Sequence, residues 1–192
     1  KIDVHVLAQL ARGEMVELGE CGEEYLAQQS LRTLTNARRR APFDIRLPLT
    51  IYNTSCYRGI PGKYIAAGPL ASRWLQQQFV ADATLARSGA QVLGEPAAGY
   101  LSHPGYAALP KAPYRYQEML GVIWRENPSC YLQDGEQAVL MAALMETDND
   151  GRPLIDAWIK RSGLTADAWL EKLFEATVIP FYHLLCRYGV AL

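Results

Sequence analysis

The sequence predicts an α+β fold, an antiparallel β-sheet with flanking helices. Residues 45–52 alternate between apolar and polar side chains, which is typical of a half-buried strand. Two longer stretches, beginning near Pro69 and Thr165, carry the start signals of helices. Between them, short apolar runs are separated by turn residues such as those at 148–151, as in strands that are joined in hairpins.

The first elements are predicted from local patterns. A short helix is expected at residues 4–11, ending near Gly13. In the strand at 45–52, Ile45 and every second residue after it share one apolar face. Arg46 then lies on the opposite, polar face, which we interpret as the working face of the sheet.

The later elements follow from helix caps and apolar runs. A helix is predicted from Pro69, which suits a first helical turn, to Gly89, which suits a helix end. Strands are expected at 91–95, 114–125, 138–146 and 154–159. Thr165 is a good N-cap for a last helix that runs towards Tyr188, with a kink or break at Pro180.

Composition excludes several classes of protein. The 192 residues contain no run of 18 apolar residues, so no membrane-spanning helix is predicted. The widely spaced cysteines form no C-x-x-C pair, which favours free thiols in a reducing cytoplasm over a zinc site: Cys21, Cys56, Cys130 and Cys186. A net charge of −1, without basic residues interleaved with aromatic ones, argues against nucleic-acid binding.

One segment differs in charge from the rest of the chain. Residues 30–63 contain seven Lys or Arg and a single acid, Asp44, a net charge of +6. The rest of the chain therefore carries a net charge of −7. A basic island in an otherwise acidic protein indicates a site for a small polyanion.

Three motifs carry a resemblance to a known family: Ser30-Leu-Arg32-Thr33, Leu47-Pro48-Leu49-Thr50 and Thr54-Ser55-Cys56-Tyr57-Arg58-Gly59. They resemble the NRPS-independent siderophore synthetases, the IucA/IucC family, and most of all its citrate-using aerobactin synthetases of the IucA type. The resemblance implies that residues 1–192 are one central fragment of the synthetase domain, which binds ATP and citrate. In the family, this region is an antiparallel sheet that covers the nucleotide.

The first motif suits phosphate binding. Two hydroxyls and a guanidinium in one tight turn can converge on a phosphate, although the pattern alone also fits a solvated turn. The resemblance implies that Ser30, Arg32 and Thr33 bind the phosphates of ATP. It assigns the same role to Arg46, which stands where the family usually has Lys.

The third motif follows a predicted strand, where scaffolds often present functional side chains. The resemblance implies that Arg58 and Thr54 are catalytic, at the junction of citrate and the α-phosphate. Ser55 is predicted to bind ATP, and Lys63 to reach an anion, although a surface charge fits Lys63 equally well. Residues 125–127 are predicted to form a structural ion pair.

The resemblance implies an ATP-dependent ligase of siderophore biosynthesis. Citrate would be adenylated with release of pyrophosphate, and an amine resembling N6-acyl-N6-hydroxylysine would then displace AMP to form an amide. The family's His-x-Gln-Asn element and its acidic Mg²⁺ ligands do not occur in this sequence, so they are expected in parts that the fragment lacks. We also expect a cytoplasmic location, a homodimer, small-molecule substrates, and neither membrane nor nucleic-acid partners.

Two alternatives stay open at this point. The isolated chain could be a non-catalytic module that binds nucleotide or anions, or associates with itself. A phosphotransferase would also use a basic pocket, but it would release ADP, and the sequence contains no glycine-rich P-loop.

Overall fold

A computed structural model describes residues 8, 10–14, 16, 19, 22–28, 30, 32–38, 41–48, 60, 62–100 and 121–191, with the backbone alone at 62 and 63. These residues form two compact units. The first consists of Lys1–Arg73 and Leu93–Cys130, and the second of Trp74–Val92 and Tyr131–Leu192.

The first unit contains a five-stranded antiparallel sheet with the strand order β1-β2-β3-β5-β4. Its strands are β1 (Tyr25–Ala27), β2 (Thr33–Asn36), β3 (Phe43–Arg46), β4 (Ala97–Tyr100) and β5 (Gly121–Glu126). The pairing of β3 with β5 joins segments that are far apart in the sequence. This long-range pairing fixes which side chains of the two strands share a face.

The described helices are α1 (Gly62–Ala81), α2 (Ala83–Ser88), α3 (Leu154–Ser162) and α4 (Ala166–Tyr188). Two short 3₁₀ turns are found at Pro128–Cys130 and Met141–Met145. The first part of α1 belongs to the unit that contains the sheet, and its last residues belong to the other unit.

The apolar core of the first unit lies between α1 and the sheet. It consists of Ile60, Ile65 and Ile123, with Ala98 packed against them. Gly121 permits the close approach of the helix, because a Cβ there would lie 2.3 Å from Cδ1 of Ile65. Strand pairing and helix packing therefore depend on each other at this point.

In the second unit, α2 packs against α4, and a single carboxylate links the two helices. Asp82 caps α2 by accepting hydrogen bonds from the backbone N–H groups of Thr84 and Leu85. Its Oδ2 also accepts from His183 Nε2 at 2.8 Å and from Tyr188 OH at 3.0 Å. These bonds, above all the one from His183, hold the pKa of the Asp82 carboxyl far below its usual range.

Several predictions from the sequence are confirmed. The fold class is α+β with an antiparallel sheet. Thr165 caps α4 through its side chain, and Gly89 ends α2 in the left-handed conformation. The predicted sidedness of β3, however, is wrong: Arg46 lies opposite Ile123, so the apolar core lies on the face of Arg46 and not on the face of Ile45.

Other predicted boundaries are wrong. The single helix predicted from Pro69 to Gly89 is two helices separated at Asp82; the first begins at Gly62, so Pro69 lies in its interior. Helix α4 continues through Pro180 as one helix. Strand β3 begins at Phe43 and ends at Arg46, while 49–59 lie outside the described residues. Residues 114–120 of the strand predicted at 114–125 lie outside the described residues, and its described part is β5, which ends one residue later than predicted, at Glu126.

Three predicted strands are absent where they were expected. Residues 91–95 form no strand, because Gly94 pairs instead with the backbone and carboxylate of Glu126. Residues 138–146, rich in Met, Ala and Leu, contain a 3₁₀ turn. Residues 154–159 belong to α3, whose acidic first turn and basic last turn favour a helix.

Within the described residues, no helix has both the length and the apolar character that a membrane crossing requires.

Replacing Gly121 by Ala should destabilise the first unit by about 1–3 kcal/mol, because the new methyl group overpacks a fully buried contact. Ile65→Val removes the clashing Cδ1 atom and should restore part of that loss in the double variant. Urea unfolding of the two single variants and the double variant measures this coupling. Strictly additive losses would contradict the proposed contact.

Asp82→Asn should destabilise the protein at pH 7, and less so at pH 3. The pKa of Asp82 is lower in the folded than in the unfolded state, where it is about 3.9. Its stabilising effect is therefore complete above that value and is lost as the pH falls further. Thermal melts of the native protein and the variant at both pH values test this, with Asp167→Asn, at an exposed position in α4, as the matched control.

Candidate functional site

Polar side chains of three neighbouring strands meet on one face of the sheet. Thr33 of β2 lies opposite Arg46 of β3, and Asp44 of β3 lies opposite Arg125 of β5. Directly paired residues project to the same side of a sheet, and so do residues two apart in one strand. All four side chains therefore share the face that, further along β5, packs against α1 through Ile123.

A turn places two hydroxyl groups at the edge of this polar face. The N–H of Thr33 donates to the carbonyl of Ser30 at 2.9 Å, which closes the turn before β2. Their hydroxyl oxygens lie 3.3 Å apart. The carbonyl of Arg32, between them, accepts from the N–H of Leu47 at 2.9 Å and ties the turn to the end of β3.

Arg46 is held by a carboxylate from outside the sheet. Its Nη1 lies 3.2 Å from Oε1 of Glu95, two residues before the start of β4. The side chains are 28% and 16% exposed, so the ion pair is largely shielded from water. The Nε–H of Arg46 is buried and has no hydrogen-bond partner among the described residues.

Arg125 is the second guanidinium of the face. Its Nη2 donates to Oγ1 of Thr33 at 3.5 Å, and its buried Nε–H also lacks a partner within the described part of the chain. Burial, and then the positive charge of Arg46, lower the pKa of Arg125, whereas Asp44 and Glu95 raise it. Two cations thus lie close enough to repel each other, with two carboxylates that oppose the repulsion.

Asp44 is the buried counter-charge. It is 1% exposed, and its Oδ1 accepts from Nδ2 of Asn127 at 2.7 Å and from the N–H of Asn36 at 3.4 Å. Burial raises the pKa of this carboxyl, while the hydrogen bonds and the charge of Arg125 act in the opposite direction. Of residues 125–127, Asn127 hydrogen-bonds to Asp44 and Arg125 acts on its carboxyl through charge, while the predicted ion pair stays a prediction.

This arrangement suits an oxyanion. Buried N–H groups in native proteins almost always have acceptors, and two guanidinium N–H groups on one face lack them here. Phosphate oxygens accept well from guanidinium and hydroxyl donors, so the residues fit the phosphate groups of a nucleotide. Among the described residues, no group of three or more His, Cys, Asp or Glu is placed to hold a metal ion.

The structure brings together part of the predicted site. Ser30, Thr33 and Arg46 converge on one face, and Arg32 lies in the same turn. The predicted residues Thr54, Ser55 and Arg58 lie outside the described residues, as does the side chain of Lys63. The assignment of all these residues to ATP or to catalysis stays a prediction.

The sequence analysis missed one member of the face and assigned another only a structural role. Glu95 was placed at the end of a predicted strand, with no role assigned to it. Arg125 was placed in a structural ion pair, although alternation along β5 already sets it on the same face as Ile123. Nothing in the local sequence indicates that β3 and β5 are neighbours, and this pairing is what brings Arg125 to Arg46.

Comparisons with known proteins agree with this sheet and its motifs. Residues 1–146 match the IucA / IucC family. The chain is 68% identical over its whole length to the aerobactin synthase of Escherichia coli, covering 33% of that protein. It is 34% identical, over 93% of its length and 28% of the relative, to the citryl-spermidine/3,4-dihydroxybenzoyl-citryl-spermidine:spermidine ligase of Bacillus anthracis. The chain thus spans about a third of the length of these relatives.

Solved structures show the same fold. Aerobactin synthetase IucC from Klebsiella pneumoniae matches with a TM-score of 0.82 and 62% identity, over 98% of this chain and 32% of that protein. The ATP-bound aerobactin synthetase IucA from the same species matches with a TM-score of 0.70 at 21% identity, over 97% of this chain and 33% of that protein, which supports the fold alone. The family prediction is confirmed. Within the family, these identities favour a relationship to IucC over the IucA type that the motifs suggested.

Asp44→Ala should destabilise the first unit by about 3 kcal/mol, because it leaves buried polar partners and a nearby guanidinium without their carboxylate. Asp44→Asn should cost less, since its side-chain oxygen can still accept from Asn127. Chemical unfolding followed by circular dichroism measures both. Equal losses in the two variants would show that the hydrogen bond to Asn127 does not contribute.

Proposed function

We propose, because this chain belongs to the IucA / IucC family, that the whole protein is an ATP-dependent ligase of siderophore assembly. One observation in the structure carries the proposal: two buried guanidinium N–H groups, from Arg46 and Arg125, lack acceptors on a face that also presents hydroxyls. Phosphate oxygens would supply the acceptors. The relatives named above are synthases, synthetases or ligases, which does not favour a purely non-catalytic binding module.

The proposed reaction has two steps. A carboxylate oxygen of the acid attacks the α-phosphorus of ATP, and the bond from that phosphorus to the bridging oxygen of the β-phosphate breaks, releasing pyrophosphate. The amine nitrogen then attacks the activated acyl carbon. The bond from carbon to the AMP oxygen breaks, the amine loses a proton, and an amide forms. Activation is needed because AMP is a far better leaving group than oxide.

The residues of the polar face have a binding role in this scheme. Ser30, Arg32, Thr33 and Arg46 would bind the phosphate oxygens and hold the nucleotide in position for attack. Charge that develops on the transferred phosphorus group would be stabilised by fixed cations, which do not need to reorganise. The same role is proposed for Arg58, with Thr54 beside it, on the motif TSCYRG alone.

Mg²⁺ would neutralise phosphate charge and orient the leaving pyrophosphate. On the family resemblance, we propose that its protein ligands lie in parts of the synthetase domain that this chain does not include. Ser55 and Lys63 are proposed to complete the nucleotide site.

The proposed acid is citrate, or citrate that already carries one amide. The ligase from Bacillus anthracis is named for joining a citryl amide to spermidine, which supports a citryl acid and an amine acceptor. The proposed amine, resembling N6-acyl-N6-hydroxylysine, rests on the resemblance of the sequence motifs to the aerobactin synthetases, not on the geometry of the polar face.

The whole protein, incubated with citrate, Mg-ATP and hydroxylamine, should form citryl hydroxamate and AMP. Arg46→Ala and Arg58→Ala should each lower the rate by about 100-fold, as expected when one stabiliser of developing charge is removed. Arg38→Ala is the matched control, because Arg38 is 76% exposed and pairs on the surface with Glu23.

The products separate the alternatives. Release of ADP and inorganic phosphate in place of AMP and pyrophosphate would indicate a phosphotransferase and contradict the proposal. A folded protein that forms no hydroxamate from citrate or a citryl monoamide would also refute it.

A further inference from the structure

Glu95 is fixed at three points, although it lies in an irregular segment. Its backbone N–H donates to Oγ of Ser72 at 2.9 Å. Its Oε1 lies 3.2 Å from Nη1 of Arg46. Its Oε2 fills the space beside Gly68, where a Cβ would lie only 2.6 Å away. The carboxylate therefore has one well-defined place between α1 and the sheet.

The helix is shaped for this contact. Gly68 is a poor residue for the middle of a helix, and it has no positive φ that would require glycine. Its bare Cα is what lets the carboxylate approach. Ser72, one turn later and 8% exposed, donates its hydroxyl to the carbonyl of Pro69 and so presents its oxygen to the N–H of Glu95.

The charges of the polar face show what this contact does. Arg46 and Arg125 share this face, and the charge of Arg46 adds to burial, the larger cause, in lowering the pKa of Arg125. Without a fixed anion on its outer side, the guanidinium of Arg46 would move away from Arg125 and into solvent. Glu95 holds it in the sheet face, on the same side as Thr33, its cross-strand neighbour.

We propose that Glu95 is a positioning residue, which holds the guanidinium of Arg46 in the orientation that binds phosphate, and that Gly68 provides the space for its carboxylate. The inference rests on the proposed function, because it concerns the same nucleotide site. Glu95 does not itself contact the substrate. The backbone bond to Ser72 fixes the segment, and the carboxylate lies between Arg46 and Gly68.

The experiment compares Glu95→Ala, Glu95→Gln, Gly68→Ala and the Glu95→Ala/Gly68→Ala double variant in the whole protein. Calorimetry gives the Kd of Mg-ATP and of pyrophosphate, and the hydroxamate assay gives the KM of citrate. Glu14→Ala is the matched control, since it removes the carboxylate of another Glu–Arg pair, the exposed pair with Arg12.

Glu95→Ala and Gly68→Ala should each weaken the binding of Mg-ATP and pyrophosphate about tenfold, the size of effect expected on losing a hydrogen bond to a charged group. Glu95→Gln should lie between the native protein and Glu95→Ala, since its amide oxygen still accepts from Arg46 without the charge. The KM of citrate should be unchanged in every variant. Gly68→Ala displaces only the tip of a side chain, so this variant should fold.

The double variant supplies the sharpest result. Once Glu95 is Ala, the added methyl group at position 68 meets no carboxylate, so it should cause no further loss of ATP binding. It should then raise the Tm, because Ala forms helices better than Gly. In the native background this gain should be reduced or abolished by displacement of the carboxylate.

Three outcomes would overturn the inference. Tighter ATP binding by Glu95→Ala or Glu95→Gln would show that Glu95 competes with phosphate for Arg46. Unchanged binding in an active enzyme would leave Glu95 a structural role only. Additive losses of ATP affinity in the double variant would show that Gly68 and Glu95 act independently. Failure of the native protein to form AMP while it still binds pyrophosphate would instead refute the proposed function, and the Glu95 comparison would still stand.

Discussion

The repulsion between two guanidinium groups on one sheet face is the constraint on which the rest of the site depends. The β3–β5 register sets Arg46 and Arg125 on the same side, and their partial burial weakens the screening by water. Such a pair persists only if fixed anions lie close by. Asp44 provides one from within the sheet, and Glu95 provides the other from outside it.

The packing of α1 against the apolar part of the same sheet face determines where the carboxylate of Glu95 lies. Helix α1 approaches the sheet closely because Gly121 has no side chain to block Ile65. That approach carries Gly68 and Ser72, further along the helix, to the segment that contains Glu95. Hydrophobic contact at one end of the helix therefore positions an electrostatic contact near its middle.

The sequence predicted the features of this site that are local. The hydroxyls of Ser30 and Thr33 share one turn, as their spacing suggested. Alternation around Ile45 set Arg46 on the other face, but it did not show that the apolar core lies on that face too. The caps at Thr165 and Gly89 depend on a few neighbouring residues, and they were predicted correctly. Features that depend on distant residues were not predicted.

Two failures show the physical reason. Residues 91–95 have the composition of a strand, but a backbone and side-chain contact with Glu126 replaces the ladder. Because the sequence does not reveal the contact with Glu126, it could not place Glu95 close to Arg46. The apolar residues of 154–159 fit either a short strand or one face of a helix. Asp156 in the first turn of α3 and Lys160 in its last turn favour the helix.

The unpaired donors are the observation behind the proposal that this is a binding face and not a purely structural ion cluster. An ion cluster that only stabilises the fold contributes most to the free energy of unfolding when every buried donor has an acceptor. A buried donor without an acceptor has lost its hydrogen bonds to water and gains none in return. Here the carboxylates of Asp44 and Glu95 balance the charge, yet the Nε–H groups of Arg46 and Arg125 stay without partners among the described residues. Charge is compensated while hydrogen bonding is incomplete, and an oxyanion is the kind of group that completes it.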